Sequence, residues 1–304
     1  MSIIPLLKIS DSGRKPQIAI FLSGSGSNAE QVLEYHRQAG SQAPFQPAVL
    51  VTDAPNSSRA GEIGRNFGIP VVANDIRLFY QARGEARVTL ATPGGRRLRE
   101  EWTDALRRQL AEHAIDFGVL AGFVPLCNIT ADYPCLNVHP GDLTCLKDGK
   151  RYLVGLHTIP IERALLDGLD ELRSSVIQAL PYTGSGEDMD NGPLLGISEA
   201  VPVDLAGANL EDLQACAASR PALRPPGGYK DRLEEIAKLN QENLKKAGDW
   251  IVLPRTVAAF ARGSYGRDET GRLHFLVSGK WHPVETVVFG KTTREILFRT
   301  ESGE

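Results

Sequence analysis

Cysteine is scarce in this chain, and its spacing fits neither a metal site nor a disulfide framework. Only four cysteines occur among 304 residues, Cys127, Cys135, Cys145 and Cys216. No two of them form a C-x-x-C pair, which argues against a zinc site, and a chain of this size has no need of disulfides to fold. We therefore expect buried free thiols and no metal.

Long apolar runs and a strong net charge are also lacking. No stretch approaches the roughly 20 apolar residues of a membrane span, and residues 1–8 lack the apolar core of a signal peptide. The formal net charge is only −3, so no broad basic field attracts nucleic acid or an anionic membrane. These features predict a cytoplasmic protein that acts on small molecules, with neither nucleic acid nor membrane as a partner.

What the chain does have is a regular alternation of strand and helix patterns. This alternation predicts an α/β fold, with a mostly parallel sheet flanked by helices. Strands are predicted at residues 17–23, 48–52, 69–72, 117–123, 135–139, 174–180 and 194–203. Helices are predicted at residues 29–38, 59–67, 97–113, 161–172 and 230–247.

A change of character near residue 204 predicts two parts. Residues 1–204 carry the α/β pattern, and residues 205–304 form a C-terminal extension packed on it. The extension is expected to consist of the polar helix at residues 230–247 and a β-hairpin that pairs residues 273–277 with residues 284–289.

Two separated stretches carry the side chains with the clearest chemical pattern. Asn137 and His139 lie two apart on a predicted strand and so project from one face. Residues 188–193 (DMDNGP) form a turn that can return the carboxylate of Asp190 to the same place. An amide, an imidazole and an acid suit acyl transfer to an amine, which needs a donor to the developing oxyanion and a route for a proton. The plainer alternative is a histidine with a structural role.

A glycine-rich turn follows the first long strand. Residues 24–28 (GSGSN) open a predicted helix, and such a turn presents backbone N–H groups to a phosphate. The pattern Gly24-x-Gly26-x-x-Ala29, with Asp53 at the end of the second strand, also satisfies a dinucleotide fingerprint. The turn alone leaves both interpretations open, together with a purely structural role for its glycines.

Five motifs, taken in order, resemble those of the phosphoribosylglycinamide formyltransferase family of folate-dependent formyltransferases. They are residues 18–28 (IAIFLSGSGSN), 119–123 (VLAGF), 136–140 (LNVHP), 155–158 (GLHT) and 189–193 (MDNGP). The resemblance implies a Rossmann-like fold. It also implies that the chain transfers a formyl group from 10-formyltetrahydrofolate, as co-substrate and without a metal, to the primary amine of phosphoribosyl glycinamide in purine biosynthesis.

The resemblance further implies the roles of particular residues. Asn137, His139 and Asp190 take the catalytic positions, with His139 as proton donor and Asp190 raising its pKa. The residues that it assigns to the phosphate of the nucleotide substrate are Gly26, Ser27 and Asn28. Those that it assigns to the folate are Arg99, Val124, Pro125, Leu126, Cys127 and Asn137, with His157 as support behind the catalytic group.

Among the departures from the family's pattern, one follows the predicted catalytic strand. After His139-Pro140 this chain has residues 141–144 (GDLT) where the family has Ser-Leu-Leu-Pro. Residues 141–154 also hold an insertion, which we expect to reshape the mouth of the folate site.

Several alternatives use parts of the same pattern. An amino-sugar formyltransferase or a 10-formyltetrahydrofolate hydrolase would keep Asn137, His139 and Asp190 and change the acceptor site. An NAD-dependent dehydrogenase would use the glycine turn and Asp53 but leaves those three side chains without a shared task. An inert phosphate-binding module would use the turn alone. The sequence leaves open the acceptor amine, the choice between transferase and hydrolase, and whether the chain forms a homodimer.

Overall fold

The structure is a computed structural model that describes residues 2–9, 13–156, 158–182, 190–225 and 227–298. Its strands are β1 (Ile4–Pro5), β2 (Gln17–Phe21), β3 (Gln46–Thr52), β4 (Val71–Ala73), β5 (Phe117–Leu120), β6 (Cys135–His139), β7 (Leu146–Lys147), β8 (Lys150–Arg151), β9 (Glu171–Leu172), β10 (Ser175–Ala179), β11 (Leu194–Ser198), β12 (Val201–Pro202), β13 (Tyr265–Arg267), β14 (Leu273–Val277), β15 (Lys280–Pro283), β16 (Thr286–Phe289) and β17 (Arg294–Leu297). Its α-helices are α1 (Ser27–Ala39), α2 (Ala60–Phe67), α3 (Ile76–Gln81), α4 (Pro93–Leu110), α5 (Ile159–Leu166), α6 (Leu210–Ala218), α7 (Arg232–Leu244) and α8 (Trp250–Ala261).

The central sheet has nine strands in the order β17-β16-β11-β10-β6-β5-β2-β3-β4. The block from β6 to β4 is parallel throughout. Beyond it, β10 runs antiparallel to both neighbours, β11 and β16 are parallel, and β17 is antiparallel to β16. The predicted class, α/β with a mostly parallel sheet, is confirmed.

The parallel strands are apolar because both faces of the sheet are covered. Ile18 and Ile20 of β2 belong to one buried cluster, whereas Ala19 and Phe21 belong to another. Successive side chains of a strand point to opposite faces, so β2 contributes to two cores at once.

Helix α4 shows how the sequence pattern positions a helix on this sheet. Trp102, Leu106 and Leu110 lie at helical spacing and are buried in the cluster that also contains Phe21. At the start of the helix, the Thr92 hydroxyl accepts a hydrogen bond from the amide of Gly95, which is an N-terminal cap.

The C-terminal extension contributes to both the core and the central sheet. Helix α8 packs on α1 and β11, and its Val252 and Val257 lie in the same cluster as Ile20. The sequence predicted one helix and one hairpin for residues 205–304, whereas the structure has α6, α7, α8 and β13 to β17. The predicted hairpin partners are wrong: β14 pairs with β15, and β16 pairs with β11 of the central sheet. A boundary at residue 204 stays a prediction about folding units.

A smaller antiparallel sheet is linked to the central sheet. It has four strands in the order β1-β13-β14-β15. The hydroxyl of Tyr265 in β13 donates to the carbonyl oxygen of Leu195 in β11 at 2.8 Å, which ties this sheet to the central one.

The four cysteines are free, but they differ in burial. Cys127 and Cys135 are buried, as the sequence predicted, whereas Cys145 and Cys216 are partly exposed, which corrects the prediction for those two.

Across the ranges that the structure describes, no helix combines the length and apolarity that a bilayer span requires.

Candidate active site

Two loops and the end of a strand meet at one edge of the central sheet. Strands β2, β5 and β6 are neighbours and parallel, so their carboxyl ends lie at the same edge, where ligands bind in open α/β sheets. The glycine turn follows β2, residues 121–127 follow β5, and Asn137 and His139 stand on the last part of β6. The fold thus gathers the motifs that were assigned to phosphate, folate and catalysis.

Asn137, His139 and Asp190 come together at the end of β6. The side chain of Asn137 makes a hydrogen bond with the Asp190 carboxylate, and the charges of Asp190 and His139 act on each other. His139 is only 4% exposed, so its imidazole is largely withdrawn from water. The three side chains that the sequence placed in the catalytic positions therefore form one cluster.

Burial moves the pKa values of this pair toward each other. It lowers the pKa of the His139 imidazole below its usual value, and the Asp190 carboxylate opposes that shift without overcoming it. Burial also raises the pKa of the Asp190 carboxyl, against the effects of His139, Arg151 and Asn137. Asp190 thus acts to raise the pKa of His139, as the resemblance implied, but the net shift is a fall. Each of the two shifts thus favours the neutral form of its group.

The backbone fixes which nitrogen of His139 is free to react. Nε2 lies 2.7 Å from the carbonyl oxygen of Leu153. A carbonyl oxygen can only accept, so Nε2 carries the hydrogen and donates. Nδ1 is therefore the ring nitrogen left for proton exchange with Asp190 or a substrate.

The sequence did not single out Arg151, which contacts the segment that bears Asp190. Its guanidinium donates to the carbonyl oxygen of Asp190 and, at 2.9 Å, to that of Gly192. Arg151 and Leu153 both lie in the insertion at residues 141–154, which was expected to shape the folate mouth. The sequence signal for this role was weak: a cationic residue in a segment that departs from the family pattern.

The glycine turn has the geometry of an anion site. Gly26 precedes α1 with a φ of 69°, and a Cβ there would lie 2.7 Å from Leu22 Cδ1, so any side chain at this position would be strained. Helix α1 begins without a side-chain cap. The backbone amides of its first turn, which includes Ser27 and Asn28, are therefore available to a phosphate at the positive end of the helix dipole.

Asn28 is tied to a buried acid from the C-terminal extension. Its Nδ2 donates to Asp249 at 3.0 Å, and Ser174 Oγ donates to the other carboxylate oxygen at 2.5 Å. Asn28 Oδ1 is buried without a partner, so the side chain does not cap α1. Sequence reasoning missed Asp249; its only signal was an acid directly before the apolar run of α8.

The resemblance assigned residues 124–127 to the folate, and the buried Arg99 supports their backbone. Arg99 is buried, and its Nη1 donates to the carbonyl oxygen of Leu126 at 2.6 Å. Val124 is 56% exposed, whereas the side chain of Cys127 is buried. A ligand on this strip would therefore meet Val124 and Pro125 directly, and Cys127 mainly through its backbone.

Asp53, the acid that could have bound a dinucleotide ribose, has a different partner. Ser23 Oγ donates to its carboxylate at 2.5 Å and accepts from the amide of Val124 at 2.9 Å. Asp53 is buried, and this burial raises the pKa of its carboxyl. Through Ser23 the buried acid thus holds the start of the 124–127 strip, which weighs against its use as the ribose ligand of a dehydrogenase.

Two further predictions were a supporting role for His157 and the absence of a metal. His157, predicted to stand behind the catalytic group, lies outside the described residues. Within those residues, no group of three or more His, Cys, Asp or Glu side chains could hold a metal ion.

Comparison of sequences finds a relative of known name. No protein-family model matches the chain. Over 216 residues the chain is 26% identical to the chloroplastic phosphoribosylglycinamide formyltransferase of Arabidopsis thaliana. The match covers 65% of this chain and 64% of that protein, so the chain spans less than two thirds of this relative's length.

Solved structures share the fold. Glycinamide ribonucleotide transformylase 1 from Symbiobacterium toebii matches with a TM-score of 0.54 and 22% identity, over 87% of this chain and 96% of its own. Phosphoribosylglycinamide formyltransferase from Anaplasma phagocytophilum matches with a TM-score of 0.55 and 17% identity, over 90% of this chain and 99% of its own. The resemblance predicted from the five motifs is confirmed, and the chain has the fold of these formyltransferases.

Proposed function

We propose that this chain transfers the formyl group of 10-formyltetrahydrofolate to the primary amine of phosphoribosyl glycinamide in purine biosynthesis. The observation that carries the proposal is the cluster of Asn137, His139 and Asp190 at the sheet edge where the glycine turn and residues 124–127 also lie. The names of the relatives support the choice of this acceptor over other amines.

The reaction we propose is direct transfer between the two substrates. The amine nitrogen attacks the formyl carbon, a C–N bond forms, and negative charge develops on the formyl oxygen. The side-chain amide of Asn137 donates an N–H hydrogen bond to that oxygen, which stabilises the tetrahedral intermediate.

Collapse of the intermediate breaks the bond between the formyl carbon and N10 of the folate. The amine loses one proton and N10 gains one. His139 carries this proton through Nδ1, because Nε2 is engaged by Leu153, and Asp190 is its neighbouring proton site.

The two substrates would lie along the sheet edge. The phosphate of the nucleotide occupies the turn formed by Gly26, Ser27 and Asn28. The folate lies along residues 124–127, and Arg99 acts on it by holding the Leu126 carbonyl. This arrangement brings the amine and the formyl group to the end of β6.

One assay tests the proposal. Purified protein is incubated with 10-formyltetrahydrofolate, with and without glycinamide ribonucleotide, and deformylation of the folate is followed. We expect formyl loss only when the nucleotide is present. Loss without any acceptor would point to the hydrolase, and loss only with an amino sugar would replace the proposed acceptor. A separate binding titration covers the dehydrogenase alternative. If reduced nicotinamide cofactor quenched the protein's fluorescence and a folate analogue did not bind, the proposal would be overturned altogether.

Location and assembly stay predictions. The substrates are small metabolites, so we keep the cytoplasm as the proposed location. A homodimer is tested by sedimentation of the purified chain.

A further inference from the structure

The insertion at residues 141–154 folds into a tight hairpin. Strands β7 and β8 pair in register, with Leu146 opposite Arg151. Asp148 and Gly149 between them have φ values of 53° and 73°. Two central residues with positive φ, in an Asp-Gly sequence, form the kind of two-residue turn that matches the twist of a hairpin. The hairpin therefore presents Arg151 from a defined position.

Helix α5 anchors the chain that leaves this hairpin. Arg163 Nη1 donates to the carbonyl oxygens of Tyr152, at 2.9 Å, and Val154, at 2.8 Å. Between these two anchored residues, the carbonyl of Leu153 is left to accept from His139. The segment from Arg151 to Val154 is thus held on one side by α5 and contacts the catalytic cluster on the other.

This segment contacts both members of the proton-carrying pair. Arg151 uses two guanidinium nitrogens to reach the carbonyl oxygens of Asp190 and Gly192, two residues apart in the segment that bears the Asp190 side chain. Leu153, two residues later, accepts from the imidazole of His139. One short stretch, held by Arg163 of α5, therefore contacts both His139 and the backbone that bears Asp190.

Gly141 makes room for this close approach. A Cβ at Gly141 would lie 2.5 Å from the carbonyl oxygen of Leu153 and 3.1 Å from His139 Nε2. The serine found here in the family pattern would push the segment away from His139. The glycine and the insertion are therefore two parts of one departure from that pattern.

We infer that Arg151 is a positioning residue, which fixes Asp190 relative to His139 by bridging two carbonyls of the Asp190 turn. The inference rests on the proposed function, since positioning matters only if the pair moves a proton. It assigns the insertion a role in catalysis rather than at the folate mouth.

The charge of Arg151 gives the inference a second, measurable consequence. Among the described residues, the charged groups that act on the His139 imidazole are Asp190, from the turn, and Arg151, from the hairpin. Arg151 acts to lower the pKa of His139, so removal of its charge should raise that pKa. Exchange for lysine keeps the charge but loses the planar two-point donor.

The test compares Arg151→Met and Arg151→Lys with Lys150→Met, an exposed neighbour on the same hairpin. We expect kcat to fall on the order of 10²-fold in Arg151→Met and about 10-fold in Arg151→Lys, because small misplacements of reacting groups are costly. The KM for the folate should stay within about twofold of wild type, as should all constants of the Lys150→Met control.

Titration of His139 by NMR in histidine-labelled protein supplies the readout that does not need activity. Its signal is assigned, among six histidines, by its loss in His139→Asn. The titration midpoint should move to higher pH in Arg151→Met and stay in place in Arg151→Lys.

Two results would overturn the inference. One is an Arg151→Met protein whose kcat and His139 titration both match the Lys150→Met control. The other is a loss of kcat that merely follows a loss of folded protein, seen by circular dichroism, with the titration unmoved. A wild-type protein that transfers no formyl group would instead refute the proposed function, and the titration would still report whether Arg151 acts on His139.

Discussion

Asn28, at the start of α1, donates a hydrogen bond at 3.0 Å to Asp249, which lies 221 positions away directly before α8. This contact joins the proposed phosphate turn to the C-terminal extension. Burial raises the pKa of the Asp249 carboxyl, and the donors Ser174 and Asn28 oppose that shift. The extension therefore contacts the proposed substrate site as well as contributing to the core.

Asp249→Ala should weaken binding of the nucleotide substrate. Hydrogen bonds to a charged group contribute about 1.5 to 3 kcal/mol, so we expect the KM for glycinamide ribonucleotide to rise about 10-fold or more. The dissociation constant of a folate analogue should change less than about twofold, since the 124–127 strip lies on another loop. Glu211→Gln, at an exposed acid on α6, is the matched control. An unaltered KM in Asp249→Ala would show that Asn28 does not need this partner.

His139→Gln should abolish most of the transfer. Loss of a general acid–base group costs about 10²- to 10⁴-fold in kcat, and binding of a folate analogue should persist because the 124–127 strip is untouched. His113→Gln replaces a partly exposed histidine three residues after α4 and should keep wild-type kcat. Steady-state kinetics with calorimetric measurement of folate-analogue binding separates the two effects. A His139→Gln protein with undiminished kcat would remove His139 from the mechanism.

The parallel half of the sheet could be predicted because its signals are local. Apolar runs such as β5 and the buried spacing of α4 follow directly from burial on a two-sided sheet. Helix α8 was missed, since it is apolar on nearly all sides and contains Pro254, so it shows no amphipathic pattern. Strand β16 was paired wrongly because its partner, β11, is far away in the sequence, and no local pattern encodes a parallel pairing.

The residues of the candidate site also fall into those that local sequence patterns could predict and those that they could not. Asn137 and His139 could be proposed from the period of a strand, and Asp190 from a turn together with a family resemblance. Arg151 could not, because it acts through backbone carbonyls, which leave no trace in residue type. Asp249 was hidden too, because only the folded chain brings α8 against α1.

Asp190→Asn should lose activity, yet its free energy of unfolding relative to that of wild type should increase as pH rises. Burial raises the pKa of Asp190, so above the usual carboxyl pKa of about 4 the native wild-type chain binds more protons than the unfolded chain. Its stability therefore falls as pH rises through the window up to the raised native pKa. The variant lacks this loss, so the difference in unfolding free energy between variant and wild type should become more positive from pH 5 to pH 8.

Urea unfolding at the two pH values measures this difference, and kcat should fall by about 10²-fold or more. Asp170→Asn, at an exposed acid, provides the control and should track wild type at both pH values. A stability difference that shrinks with rising pH would contradict burial as the dominant influence on Asp190.

Ser23→Ala should loosen the 124–127 strip, which we propose binds the folate, without changing the rate of formyl transfer. Ser23 Oγ links the buried Asp53 carboxylate to the amide of Val124, so its removal leaves an acceptor and a donor without their shared partner. Such a loss costs about 1 to 3 kcal/mol, and we expect the dissociation constant of a folate analogue to rise about 10-fold. The kcat at saturating folate should stay within about twofold, because Asn137, His139 and Asp190 keep their contacts. Ser57→Ala, at an exposed turn, should bind the analogue as wild type does. Equal affinity in the Ser23 and Ser57 variants would mean that the link from Asp53 to the strip has no part in folate binding.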